Sequence, residues 1–185
     1  MIGELQRRKL VKVFSMYDTC NSGALTFSDF ERVVQSLAEL KGWKSDSPEY
    51  NQLLSKFMHR WTHLKGNIQD NVAAHAIGNV QLNDWLQYFE DMLDSDSRYQ
   101  DEIHSLGGMI FDVCDTDDSG HLDRNEWFAL FKAYNLPVVY ADEAFAKLDK
   151  NQDGMLQKDE VVHALKDFYY SEDPQEPANF MFGPY

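Results

Sequence analysis

Twelve residues of this chain, Asp115 to Glu126, read D-T-D-D-S-G-H-L-D-R-N-E, and the same pattern of oxygen donors around a central glycine returns at Asp149 to Glu160, D-K-N-Q-D-G-M-L-Q-K-D-E. A hard divalent cation such as Ca²⁺ takes about six to eight oxygens at roughly 2.3–2.6 Å, supplied by a loop of this length. In the first segment Asp115, Asp117 and Ser119 offer side-chain oxygens at positions one, three and five. His121 offers its backbone carbonyl at position seven, Asp123 fills position nine directly or through a water, and Glu126 closes the shell with both carboxylate oxygens. In the second segment Asp149, Asn151, Asp153, the Met155 carbonyl, Gln157 and Glu160 fill the same places. Gly120 and Gly154, at position six, permit the positive φ that turns the chain around an ion. Leu122 and Leu156, at position eight, are the apolar residues through which two such loops pair. A single string of this kind is compatible with an acidic surface turn, but its repetition in register argues against that plainer reading.

Both segments are framed by apolar stripes at helical spacing. Gly107, Ile110, Phe111 and Cys114 precede the first, and Trp127, Leu130, Phe131 and Tyr134 follow it. Ala141, Ala144, Phe145 and Leu148 precede the second, and Val161, Ala164, Leu165 and Phe168 follow it. The i, i+3, i+4, i+7 spacing predicts amphipathic helices on both sides of each loop. A third helix–loop–helix unit lies near the start. Leu10, Val13, Phe14 and Tyr17 lead into Asp18–Asp29, D-T-C-N-S-G-A-L-T-F-S-D, and Phe30, Val33, Val34 and Leu37 lead out. Asp18, Ser22, the Ala24 carbonyl, Thr26 and Asp29 are its candidate ligands. They make a weaker set, because Cys20 puts a soft sulfur at position three and Asp29 is one methylene shorter than glutamate. A fourth unit keeps the frame without the ligands. Counting back from Trp85, Tyr88, Phe89 and Met92 places Asp84, Val80 and Gly78 at positions twelve, eight and six, and the ligand slots fall on Ala73, His75 and Ile77.

Ser47-Pro48 predicts an N-cap and first helical residue, and Ser97 with Gln100 predicts a capping box. Gly107 and Gly108 inside a helix predict close helix–helix approach. The expected organisation is all-α: four helix–loop–helix hands in two paired lobes, residues 1–94 and 95–170, joined through Asp94–Ser97 by a linker too short to hold them apart, so that one compact body results. Residues 171–185 contain Pro174, Pro177 and Pro184, which stop a helix, and Phe180, Met181, Phe182 and Tyr185, which are too apolar for a free tail. They are expected to pack on the body, with Phe180, Phe182 and Tyr185 filling a groove.

The 185 residues carry a formal net charge of -14. Such a chain repels nucleic acid and anionic membranes and attracts cations. Two cysteines, Cys20 and Cys114, make no disulfide framework. No signal region, myristoylation site or membrane span is legible, so a cytoplasmic monomer without an obligatory protein partner is expected. His59 and His63 are spaced as zinc ligands can be, but without a glutamate base or third ligand they read as helix surface. No nucleophile constellation or phosphate-cradling loop is present, and no enzymatic activity is expected.

The four hands, the ligand-poor second one, the long segment before it and the tail D-F-Y-Y-S-E-D-P-Q-E-P-A-N-F-M-F-G-P-Y together resemble the sarcoplasmic calcium-binding proteins and their bacterial calerythrin-like relatives, within the EF-hand superfamily. The resemblance spans essentially the whole chain. It implies a compact helical calcium buffer with ions in hands one, three and four. Loops three and four carry over fully, and loop one only in part because of Cys20. Two Ca²⁺ sites are therefore expected, with a third open and Mg²⁺ as a competitor. The alternatives are a sensor that exposes a hydrophobic groove to a target, or a relative of the calcium-triggered photoproteins. The latter carry His and Trp one turn apart in the last helix, whereas here His163 is followed by Asp167.

Overall fold

The computed structural model describes residues 2–69 and 78–185. The chain is mostly helical, with four two-residue strands. In order it forms α1 (Glu4–Tyr17), β1 (Ala24–Leu25), α2 (Phe27–Leu40), α3 (Pro48–Gln69), β2 (Val80–Gln81), α4 (Leu82–Leu93) and α5 (Asp96–Tyr99). A π-turn, Gln100–His104, then leads into α6 (Ser105–Cys114), β3 (His121–Leu122), α7 (Arg124–Ala133), α8 (Ala141–Leu148), β4 (Leu156–Gln157) and α9 (Lys158–Tyr170). Most of the residues expected as helix stripes are buried, among them Leu10, Val13, Phe14 and Tyr17 on α1 and Trp85, Tyr88, Phe89 and Met92 on α4, while Gly107 and Ile110 on α6 are half-buried.

The strands pair antiparallel in two sheets. Leu25 faces Val80, and Leu122 faces Leu156. Each loop thus shares its position-eight residue with a neighbour, which ties hand one to hand two and hand three to hand four. The two halves are not separate bodies. α2 packs on α6 and α7, and α1 packs on α9. Tyr17 stacks on Phe30 at 4.6 Å and meets Tyr134 edge-on at 6.0 Å. Phe89 stacks on Tyr169 across the same boundary at 5.6 Å. One contiguous apolar cluster runs from Leu10 to Phe182.

Gly107 is a genuine close approach: a Cβ there would sit 2.5 Å from Leu165 Cδ2, so a larger residue would force the Leu165 side chain to move. Gly108 is in ordinary contact, with Lys158 Cε 3.6 Å away. The start of the helix into hand three differs from the capping-box expectation. The N-cap is Ser95, and Ser97 lies inside α5 with its hydroxyl 3.2 Å from that of Ser95. The chain turns helical two residues early, and the π-turn absorbs the misfit before α6. At α3 the expected cap is present, with Tyr50 N donating to Ser47 Oγ at 3.1 Å.

The tail folds onto α8 and α9 as a short 3₁₀ turn, Pro177–Phe180, followed by the last residues. Of the three aromatics expected to point inward, only Phe182 is buried. Ala178, Asn179, Met181 and Phe182 are buried, Phe180 is half-buried, and Tyr185 is 40% exposed. The 3₁₀ turn brings residues three apart to one side, so Met181 follows Ala178 inward while Phe180 lies along the surface beneath Lys147, whose Nζ is 4.2 Å from the ring centre. Polar anchoring comes from α1. Lys9 is 1% exposed, and its Nζ donates to Ser171 O at 2.7 Å and Asn179 Oδ1 at 2.9 Å. Burial lowers this ammonium's pKa to about 8, against the pull of Glu176, Glu172 and Asp167. Gln6 Nε2 adds a bond to Tyr169 O at 3.2 Å.

Candidate metal centres

The helices that lead into loops one, three and four each end on an aspartate, and each of these aspartates organises the loop that follows. Asp18, Asp115 and Asp149 cap α1, α6 and α8. In each case one carboxylate oxygen accepts from the amide at position five and the other from the amide of the position-six glycine. The distances are 2.8 and 2.8 Å in loop one, 2.9 and 2.8 Å in loop three, and 3.2 and 2.9 Å in loop four. The backbone repeats as closely. Positions four and six both take positive φ: Asn21 and Gly23, Asp118 and Gly120, Gln152 and Gly154. At position four an asparagine, aspartate or glutamine bears the left-handed conformation, with the first two among the residues that tolerate it best. Each loop closes in the same way. The position-twelve carboxylate accepts from the position-nine amide: Thr26 to Asp29 at 2.7 Å, Asp123 to Glu126 at 3.0 Å and Gln157 to Glu160 at 3.0 Å. Hand two shares this closure, with Gln81 N donating to Asp84 Oδ2 at 3.1 Å. Its slots at Ala73, His75 and Ile77 lie outside the described residues.

Loop three brings its oxygens together. One carboxylate oxygen from each of Asp115, Asp117 and Glu126 lies within 4.8 Å of the other two. Ser119 Oγ bridges the same space, 3.3 Å from Asp115 Oδ1 and 3.1 Å from His121 O. Bonds from Ser119, first from its hydroxyl and then its amide, hold the Asp117 carboxyl below its usual range. Asp123 caps α7, accepting from Glu126 N at 2.8 Å. An all-oxygen, carboxylate-rich set of this kind fits Ca²⁺, and it also accommodates Mg²⁺ if the loop can contract. In loop four Asn151 Oδ1 accepts from Asp153 N at 2.9 Å and Asp153 Oδ1 from Met155 N at 2.9 Å, so the donors face the same turn with one fewer carboxylate.

Beyond that shared bond, loop one differs from loop three at position two, and the residue responsible is one that the sequence did not single out. In loop three Glu126 Oε1 reaches the position-two residue directly, accepting from Thr116 N at 2.7 Å and Thr116 Oγ1 at 2.9 Å. Asp29 is too short to do the same with Thr19. Arg32 spans the gap instead: one guanidinium nitrogen donates to Asp29 Oδ1 at 3.1 Å and the other to Thr19 Oγ1. Asp29 Oδ2 meanwhile accepts from Thr26 N and Thr26 Oγ1. The closing carboxylate is thus already paired with a cation. The only available signal was an arginine three residues beyond position twelve, a spacing that faces it on the helix. Cys20 is exposed and Cys114 buried, and both are free. Burial pushes the Cys114 thiol up to about 12, which makes it an apolar filler. Combining Cys20→Asp with Arg32→Ala is expected to tighten loop one for calcium by about tenfold or more, near 1.4 kcal/mol. The gain should appear as an added or strengthened step in titration calorimetry. An unchanged isotherm would remove Arg32 as the competing cation.

Another basic residue missed in the sequence sits against loop three. Lys41, at the end of α2, is 2.7 Å from Asp118 Oδ1 at position four and links the first half to that loop. His59 and His63 lie on the outer face of α3 with ring centres 4.1 Å apart and planes tilted by 52°, and His63 Nδ1 is 3.1 Å from Glu102 Oε1. Among the described residues they form no metal cluster.

Paired helix–loop–helix hands, with these loops in register, define the class of calcium-binding EF-hand proteins. The chain contains an EF-hand domain pair, since residues 106–166 match the family model of that description. It is a homologue of calerythrin from Saccharopolyspora erythraea, 25% identical over 168 residues that cover 88% of this chain and 90% of that one. Its fold is that of a sarcoplasmic calcium-binding protein from amphioxus, with a TM-score of 0.72, 16% identity and full coverage of both chains. Calcium-loaded apo-aequorin from Aequorea victoria shares the fold as well, with a TM-score of 0.70, 14% identity and 94% of each chain covered. Among the described residues no helix is long and apolar enough to cross a membrane.

Proposed function

We propose that this protein is a calcium buffer. Loop three binds through Asp115, Asp117, Ser119, His121 O, Asp123 and Glu126. Loop four binds through Asp149, Asn151, Asp153, Met155 O, Gln157 and Glu160. Loop one, with Asp18, Ser22, Ala24 O, Thr26 and Asp29, is a weaker third site. Mg²⁺ competes for all three. Residues 1–94 and 95–170 act as the two hand pairs and 171–185 as their internal plug, in a cytoplasmic monomer that needs no protein partner.

The observation that carries the choice of buffer is the burial of Met181 and Phe182 against α9, with the Phe182 ring 5.0 Å from Phe168. A sensor hands an apolar groove to its target when calcium opens the hands. Here the chain's own tail occupies that kind of space, which supports a protein that binds ions without presenting a surface. Calcium titration in the presence of an anilinonaphthalene dye tests this. Two ions should bind firmly per chain, Mg²⁺ should weaken the isotherm, and dye fluorescence should be no higher in calcium than in chelator. A rise in dye binding on adding calcium, with retention on a column of an amphipathic target helix, would make the protein a sensor and the tail a releasable lid.

A further inference from the structure

The inner face of α3 carries a charge that the calcium loops do not use. Arg60 is 5% exposed, its guanidinium lying 5.8 Å from the ring centre of Trp85 and 5.5 Å from that of Phe89. It shares a hydrogen bond with the Tyr169 side chain. Its Nε and Nη2 are buried and have no hydrogen-bond partner among the described residues. Nor does any described carboxylate lie within ion-pairing distance of it. Glu102, which acts on it from further off, is engaged through Oε1 with His63 Nδ1 at 3.1 Å and Arg98 Nε at 3.5 Å.

The two unmet donors belong together. Nε–H and Nη2–H point the same way from the edge of the guanidinium plane, and this side-on fork is the one that grips a carboxylate with two parallel bonds. Arg60 lines a cavity of about 70 Å³ between the halves of the molecule. Tyr17, Tyr134 and Tyr169 line it as well, and Tyr17 and Tyr134 are bonded to each other. The rest of the wall is apolar: Val13, Leu106, Ile110, Leu165, Met181 and Phe182. At roughly 10–15 Å³ per water-sized position the space holds about five such positions. Water beside Arg60 finds partners, but water against Leu106 or Leu165 finds none, and such a space favours an apolar occupant. A buried guanidinium with a free fork and no carboxylate in contact among the described residues favours an anion.

We propose that this cavity binds a small apolar monocarboxylate, its head on the Arg60 fork and its hydrocarbon body against the α6 and α9 wall. The carboxylate-binding end rests on Arg60 of α3 and uses no calcium ligand, although Cys114 and Leu122 of hand three also line the cavity, and the proposal does not depend on the buffer reading. The test uses the calcium-loaded full chain with pentanoate and benzoate, each compared with its neutral amide, and with acetate as a head group lacking the body. Calorimetry and thermal shift should show one carboxylate per chain. The amides should bind at least tenfold more weakly, for want of charge, and acetate should bind weakly, for want of apolar contact. Arg60→Met should abolish the preference of acid over amide. Cooperative unfolding of that variant is the control for folding, and the comparison of acid with amide on the unaltered chain stands without it. Equal binding of acid and amide, acetate as tight as pentanoate, or no binding by any of them would overturn the proposal and leave the cavity to water.

Discussion

Glu126→Gln is expected to remove one ion from the calcium stoichiometry. The affinity of loop three should fall by about 100-fold or more, near 2.7 kcal/mol. The carboxylate has three roles at once. It is one of the three acidic groups that converge within 4.8 Å. Through Oε1 it ties down Thr116, and through Oε2 it accepts from the Asp123 amide and completes the capping box of α7. An amide keeps the size but has one acceptor oxygen and no charge, so it cannot close on an ion with two oxygens. Its one oxygen can still accept from the Asp123 amide, since glutamine serves at this place in a capping box as glutamate does, so the loss should fall on the ion rather than on the start of α7. Glu160→Gln should do the same to loop four. Titration calorimetry decides the matter: undiminished stoichiometry in Glu126→Gln would mean that these are not the ligands.

Deleting residues 178–185 should have the other large effect. Met181 and Phe182 are 3% and 9% exposed, and burying side chains of this size is worth about 1.5–3 kcal/mol each. Lys9 would also lose Asn179, the one side-chain oxygen its ammonium bonds. Together the expected loss is about 5 kcal/mol. At roughly 2–4 °C per kcal/mol for a chain of this size, the melting temperature should fall by about 10–20 °C. The uncovered wall of Leu165 and Phe168 should then bind a hydrophobic dye that the intact chain refuses. Unaltered melting and dye binding would show that the tail seals nothing.

What was legible in the sequence was whatever is decided within a dozen residues. Asp115 and Gly120 are held together by one hydrogen bond across five positions, and the pairing of Leu122 with Leu156 follows from both being at position eight. Each residue's part follows from its place within a twelve-residue loop, so spacing alone reveals such relations. The start of the helix before hand three was misplaced because Ser95 and Ser97 are both good N-caps and the pattern of side chains does not choose between them. Arg32 was overlooked because its role depends on a missing methylene in Asp29, and Lys9 because its partners are 162 and 170 residues away. Arg60 sits between two exposed histidines and reads as surface. Only the packing of α3 against Trp85 and Phe89 turns it inward. The tail was correctly marked as apolar, but a 3₁₀ turn selected Met181 and Phe182 rather than Tyr185.

The two short antiparallel pairs have opposite consequences for how the molecule responds to its ion. Between loops three and four the His121–Gln157 and Leu122–Leu156 pairing joins two donor sets. When one loop tightens, its strand is fixed, and the partner loop meets its own ion with part of the ordering entropy already spent. Uptake by that half should therefore be steep, with the second ion entering more readily than the first. In the other half the Ala24–Gln81 and Leu25–Val80 pairing joins a weak loop to a segment whose closing residue is Asp84. With Ala73, His75 and Ile77 at its ligand slots, that segment is not expected to share the cost, so loop one would fill gradually, over a wider range of concentration. One chain would thus hold a sharp threshold in one half and a broad reserve in the other.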